Sequence, residues 1–347
     1  MKKNILLPFM SILIIGYWFL QGREVEHIPG SLFGVTGEEV SIPETQEEDG
    51  MVYDVSIEAL SKQDFVGENL KLGQILADNE VYTRYYITYE SNGLTISGIM
   101  NIPKPSSSAG TGDGPFPVLL LNHGYIDPAV YTNGRGLKRE QDYLARRGYV
   151  VLHSDYRNHA ASDSVEGVDE SLRLGYAIDV VNAANAVRNS SLPYFDRSNI
   201  GMLGHSMGGG VALQIMTALP ETAKAYVLFA PVSADARDNF DKWIRGNREA
   251  ADTILTTYGD FEENSAFWNG ISPIHYFDRI TAPVMYHHGT QDESVPLEWS
   301  ERAAAAMEDS EVDVTLYAYE GEPHEFIDDW PLVMSRTVDF FDKNLKP

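Results

Sequence analysis

The chain contains no cysteine in 347 residues. That one absence excludes disulfide frameworks, thiolate nucleophiles, zinc thiolate centres and a lipid-acylated cysteine. Basic residues are scarce as well: 26 Lys and Arg stand against 51 Asp and Glu, a formal net charge of -25. Such a surface repels phosphate backbones, so nucleic acid is not an expected partner. No metal-binding cluster is evident, and no internal repeat of solenoid or propeller period is visible. The acidity itself reads as a solvated surface facing an extracellular medium.

What is present suits a globular body with appendages. Hydrophobic residues make up 43% of the chain and aromatics 11%, enough for a sizeable core. Lys2 and Lys3 precede an apolar run at 5–20, with Tyr17 and Trp18 near its end. The run is slightly short of the ~20 residues that span a bilayer core. No small-residue cleavage site follows it, since the next residues are Gln21, Gly22 and Arg23. Residues 1–21 are therefore expected to be an uncleaved membrane anchor in preference to a removed signal. The two lysines would stay cytoplasmic and the remainder would be extracytoplasmic.

Residues 22–80 read as an acidic tether and N-terminal extension, and 81–347 as the main domain. Segments 82–89 and 94–102 are rich in β-branched and aromatic residues around Ser91-Asn92-Gly93, which predicts a β-hairpin. A Ser, Gly and Pro-rich surface loop is expected at 105–114. Strand candidates follow at 118–122, 149–154, 200–203, 225–229, 284–287 and 314–319. Helical stretches lie near 137–147, 169–188, 207–218, 297–308 and 330–344. This alternation predicts an α/β fold with a mostly parallel sheet and helices on both faces. The charged, aromatic interval 233–280 breaks the rhythm and is expected to form a helical cap.

The sharpest local signal is Gly204-His205-Ser206-Met207-Gly208, between a strand candidate and a helix candidate. In a nucleophile elbow the serine occupies a strained bend, and small residues two before and two after it avoid collisions. Ser206 is the candidate nucleophile. The backbone N–H of Met207, opening the next helix, is the first candidate oxyanion donor. The acid and then the histidine should follow on later loops. Of the nine histidines, only His324 lies beyond a plausible acid loop, just after the strand candidate 314–319. Asp292, after the strand candidate 284–287, is preferred as the acid over Glu293, which would point elsewhere on a tight turn. The strand leaving through Asn122-His123-Gly124 makes the backbone N–H of Tyr125 the second oxyanion candidate, its phenol being an alternative donor or a pocket wall. Adjacent His287 and His288 would face opposite sides of a strand and are read as strand-end packing, not as a metal pair. His205 should pack beside the nucleophile, and Asp155-Tyr156-Arg157, flanked by His153 and His159, should brace loops.

Taken together, His123-Gly124, Asp155-Tyr156-Arg157, the elbow 204–210, Ser272-Pro273-Ile274, Ala282-Pro283-Val284, the acid loop 289–296 and Pro323-His324 with Phe326 resemble the catalytic domain of prolyl oligopeptidase-like serine hydrolases. That group includes dipeptidyl-peptidase, acylaminoacyl-peptidase and dienelactone-hydrolase-like branches. The resemblance covers about 115–345 and implies the α/β-hydrolase fold and a nucleophilic triad working without cofactor. Its peptidases usually carry a β-propeller, for which 1–114 is too short, and 158–160 reads Asn-His-Ala where glycines are common. The expected substrate is a small-molecule ester or short peptide, with esters slightly favoured. A family peptidase, an acyltransferase using another acceptor, and a non-catalytic binding protein on this fold are the alternatives.

Overall fold

The computed structural model describes residues 54–105, 114–168 and 171–346. The expected anchor, residues 22–53 of the tether and N-terminal extension, and most of the loop at 105–114 lie outside the described residues. Among the described residues no helix is long and apolar enough to cross a membrane.

The sheet opens with three antiparallel strands, β1 (Gly67–Asp78), β2 (Tyr82–Ser91) and β3 (Leu94–Pro103). The β2–β3 connection is the two-residue turn Asn92-Gly93, with φ of 49° and 87°, and two positive φ values suit the right-handed twist of a hairpin. β1 lies within the stretch that the sequence assigns to the N-terminal extension. It is an edge strand, exposed along most of its length, so no buried face imposes alternation on its sequence.

β4 (Phe116–Asn122), β5 (Val150–Ser154), β6 (Phe195–His205), β7 (Tyr226–Phe229), β8 (Val284–Gly289) and β9 (Val314–Tyr319) complete a sheet ordered β1-β2-β3-β5-β4-β6-β7-β8-β9. From β5 to β9 every pairing is parallel. β4, β5 and β7 are buried at every position, because helices cover both faces. Val118, Leu120, Met202, Leu228 and Tyr286 pack on one side. Beneath them run α3 (Leu174–Asn189), α4 (Met207–Ala218) and α8 (Leu297–Asp309). Leu119, Leu121, Leu203, Val227 and Met285 face α2 (Lys138–Ala145) and α9 (Trp330–Leu345) on the other side. Truncating a fully buried residue such as Leu121 to Ala would cost about 2–5 kcal/mol. A short helix, α1 (Ile57–Lys62), precedes the sheet.

The cap expected at 233–280 is helical: α5 (Ala236–Asn239), a π-helical turn Phe240–Ile244, α6 (Arg248–Tyr258), α7 (Ser265–Gly270) and a 3₁₀ segment Pro273–Arg279. It has its own apolar cluster, including Phe240, Ile254, Phe267, Trp268 and Ile271. β4 is flanked by β5 on one side and β6 on the other, so chain order reverses there. Open α/β sheets bind ligands at the carboxyl ends of strands around such a switch point.

Two buried groups brace the loops at that end. Asp155 accepts hydrogen bonds from Ser97 Oγ (2.6 Å), Tyr131 OH (2.8 Å), Asn133 Nδ2 (2.7 Å) and the Gly134 N–H (2.8 Å). Arg157 makes a bidentate pair with the fully buried Asp179 at 2.8 and 3.0 Å. The sequence motif 155–157 therefore ties loops together as expected.

Buried histidines make the fold sensitive to acid, His153 and His287 among them. Burial, reinforced by the Arg84 charge, brings the His153 imidazole down from 6.5 to about 3. Burial and Arg336 bring His287 down to about 3 likewise. Both folded-state values lie below the unfolded one, so below 6.5 the unfolded chain binds more protons. Their stabilising contribution is intact above 6.5 and lost as pH falls toward 3, at up to ~1.4 kcal/mol per pH unit for each group. Neither His153 ring nitrogen has a hydrogen-bond partner among the described residues. His153→Leu is accordingly expected to flatten the decline in urea-unfolding free energy between neutral pH and about pH 5. An unchanged decline would contradict this assignment.

Candidate active site

Ser206 is the single residue between β6 and α4, with φ 55° and ψ -119°. This lies outside the regions that L-residues adopt freely and stores roughly 1–3 kcal/mol of strain. The surroundings hold it on both sides. The Ser206 N–H donates to Phe229 O (2.9 Å), while its carbonyl accepts from the N–H groups of Gly209 (2.9 Å) and Val232 (3.1 Å). A Cβ on Gly204 would run into the Gly208 carbonyl, and one on Gly208 into the Asn122 carbonyl. The small residues that the elbow motif requires are thus fixed by backbone crossing backbone.

The two later loops converge on the same end of the sheet. His324 Nδ1 lies 2.7 Å from Asp292 Oδ2 and donates to it, which leaves Nε2 as the basic nitrogen. Asp292 Oδ1 accepts from the N–H groups of Ser294 (2.8 Å) and Val295 (2.7 Å). Burial pushes the Asp292 carboxyl up, but bonds from His288, His324 and Val295 outweigh it and hold the group well below the usual carboxylate range. Glu293 instead accepts the backbone N–H of His324 at 3.4 Å, so it supports the loop and leaves the ring to Asp292.

His205 is buried with its ring 4.6 Å from that of His324, and its Nε2–H donates to the His324 carbonyl (3.2 Å). Burial, and then the neighbouring His324, lower it to about 4, so at neutral pH it packs beside the nucleophile without adding charge.

Ser206 and His324 line one cavity of about 670 Å³, together with Met207 and Tyr125. Met207 is the first residue of α4, where backbone N–H groups have no intrahelical acceptor. The chain passes close by at Gly124, where an added Cβ would stand 3.1 Å from Ser206 Cβ. The Tyr125 side chain is exposed at the cavity mouth, beneath the Arg173 guanidinium at 4.8 Å. Arg173 also donates from Nη1 to Met207 Sδ (3.5 Å), touching both residues singled out as oxyanion donors.

The structure amends two readings. Helix α3 begins at Leu174, not near 169, because Leu172 and Arg173 adopt left-handed φ of 53° and 59°. Leu and Arg are ordinary helix formers, so nothing local announces the break. His288 does more than pack. Its Nε2 lies 3.0 Å from Val295 O and 3.2 Å from Asp292 Oδ2, two acceptors that require a proton on that nitrogen. Nδ1 then accepts from Ser300 Oγ at 2.8 Å. Asp292 therefore sits between two imidazole donors. His287 turns to the other face and bonds Tyr319 OH at 2.7 Å, which is packing as expected. Among the described residues no group of three or more His, Asp or Glu side chains is arranged to hold a metal ion.

A strained serine at a strand-to-helix bend, on a mostly parallel sheet with an acid and a histidine on the next loops, defines a serine hydrolase of the α/β-hydrolase fold. The chain belongs to the prolyl oligopeptidase family, which it matches over residues 135–347. Dipeptidyl peptidase family member 6 of Caenorhabditis elegans is 24% identical over 254 residues, covering 67% of this chain and 33% of that protein. The human acylamino-acid-releasing enzyme is 25% identical over 191 residues, covering 52% of this chain and 25% of that protein. The chain thus spans a quarter to a third of these relatives. Among solved structures, acetyl xylan esterase 1 from Thermoanaerobacterium sp. superposes with a TM-score of 0.62 at 20% identity, over 81% of this chain and 89% of that one. The Pyrococcus horikoshii acylaminoacyl peptidase gives 0.61 at 21% identity, over 77% and 42% of the two chains. These likenesses establish the fold.

The role of His288 is open to direct test. His288→Leu removes one imidazole donor and should raise the Asp292 carboxyl toward the ordinary range, read by ¹³C NMR titration of labelled aspartate. His288→Gln keeps an N–H and should restore part of the depression. A carboxyl titrating identically in both variants and the wild type would reduce His288 to packing.

Proposed function

We propose that the protein transfers the acyl group of a carboxylic ester or short peptide to water through Ser206, His324 and Asp292. The observation that carries this reading is the 2.7 Å bond from His324 Nδ1 to a buried, ionised Asp292, with the His324 ring and strained Ser206 walling one cavity. Asp292 holds the imidazole in the tautomer whose Nε2 accepts the Ser206 proton. Attack by Oγ on the scissile carbonyl makes a tetrahedral oxyanion, which the backbone N–H groups of Met207 and Tyr125 stabilise. His324 returns the proton to the leaving group as the carbon–heteroatom bond breaks, giving an acyl-enzyme. A water molecule, deprotonated by His324, attacks that ester; the acid leaves and Ser206 Oγ recovers its proton. Each group ends as it began.

His288, donating to the far side of Asp292, acts as a positioning residue in this scheme. The neutral His205 keeps a second positive charge away from the transient His324 imidazolium.

Esters are slightly favoured over amides, because an alkoxide or phenolate departs with less help from the general acid than an amine does. The relatives bear both kinds of name, acylamino-acid-releasing enzyme and dipeptidyl peptidase on one side and acetyl xylan esterase on the other. Peptide cleavage is the second reading for that reason. Residues 1–21 are proposed to anchor this activity on the outer face of a membrane.

Wild type and Ser206→Ala are to be compared on p-nitrophenyl acetate and on an aminoacyl p-nitroanilide. The mutant should lose at least about a thousandfold in kcat on whichever substrate is turned over. Asp292→Asn should lose activity on the same scale as other triad acids, about 10⁴-fold. Retained turnover in a folded Ser206→Ala protein would remove this mechanism, and a faster anilide than ester would favour the peptidase.

A further inference from the structure

The cavity beside Ser206 is far larger than the chemistry there requires, and its cap side is mostly apolar. The cap contributes Phe240, Trp243, Ile244 and Ile254, and the body contributes Leu172 and Val211, while the cap's Asn239 and Asn247 bond to backbone groups within the cap. Phe240 and Ile254 also belong to the cap's own buried cluster, so this wall is packed before any ligand arrives. Trp243, from the cap, is 45% exposed and Tyr125, from the body, is 59% exposed, so each adds a solvent-facing aromatic ring to the lining.

Two departures from regular backbone meet at this cavity. Residues Phe240–Ile244 form the π-helical turn, and three of the five line the space. Such turns are rare and gather at functional sites. Across from it, Leu172 and Arg173 take consecutive left-handed conformations, unfavourable for side chains larger than glycine. Both distortions turn side chains toward the same volume.

We infer that this volume is a chamber for a bulky, apolar acyl group, such as an arylalkanoyl or branched-chain acyl, attached to the scissile carbonyl. The inference rests on Ser206 being the nucleophile and deepens that reading by naming the substrate class. The leaving group must lie within reach of His324 to take its proton, so it occupies the side held by His324, His205 and Glu325. The mostly apolar wall formed by the cap and by Val211 of α4 is left to the acyl portion. A cavity of about 670 Å³ falls within the size that encloses drug-sized ligands, roughly 300–1,000 Å³, whereas an acetyl group would leave most of it to water. Water against an apolar wall is released when a matching group enters, and that gain is available in the transition state as well as in the bound substrate.

The test compares p-nitrophenyl acetate with p-nitrophenyl 3-phenylpropanoate, each kcat/KM divided by the ester's rate with hydroxide. The wild type should favour the phenylpropanoate by at least about tenfold. Ala250, on α6, lines the chamber, and Ala250→Phe fills it. That ratio should fall by about tenfold or more in the variant. Labelling of Ser206 by a small fluorophosphonate, measured on both proteins, monitors the nucleophile independently of chamber size. A wild type that is labelled but prefers the acetate, or a labelled Ala250→Phe with an unaltered ratio, would overturn the chamber and leave the hydrolase standing. A folded wild type that is not labelled would overturn both.

Discussion

The backbone at Ser206 is the constraint from which the rest of this structure follows. A non-glycine residue at φ 55°, ψ -119° persists only where its neighbours over-determine it. Here β7 supplies the acceptor for its N–H, α4 and the loop after β7 supply donors to its carbonyl, and two glycines permit the crossing. Those partners lie on the buried strand β7, on α4 and on the loop after β7, so the bend is anchored in the core beneath the cavity. The doubly covered parallel sheet thus serves the site directly. It turns local strain into a fixed direction for one hydroxyl.

The acid loop rests on a different balance. Asp292 is almost wholly removed from water, which by itself would favour the protonated form. Two imidazole donors and two backbone N–H groups reverse that preference. The carboxylate stays charged because all of its lone-pair directions are used, and full use makes it rigid. Ser300 extends the chain of bonds onto α8, so the histidine loop, the acid loop and a helix are held as one unit. The price is sensitivity elsewhere: His153, His205 and His287 are buried neutral, and each opposes acidification of the folded state.

Much of this could be read from the residues, and the exceptions have physical causes. The central strands were visible as short apolar runs because both their faces are buried; the Asn92-Gly93 turn was visible because few residues accept two positive φ values. The elbow was visible because steric crowding leaves glycine little competition there. β1 escaped notice since an exposed edge strand carries no periodic signature. The break before α3 leaves no trace in the sequence, because Leu172 and Arg173, ordinary helix formers, take left-handed φ there. His288 looked like packing, and only the fold brings Ser300, Val295 and Asp292 around it. Cap residues announced themselves as aromatic and charged, but the π-turn at Phe240–Ile244 has no pattern of its own.

The account stands on one atom, Ser206 Oγ, being the activated nucleophile. The most direct measurement is intact-protein mass spectrometry after fluorophosphonate treatment, followed by proteolysis and sequencing of the modified peptide. A single stoichiometric adduct is expected, mapped to Ser206 and absent from Ser206→Ala. An adduct at another residue, or none on protein whose folding is verified by circular dichroism, would contradict it.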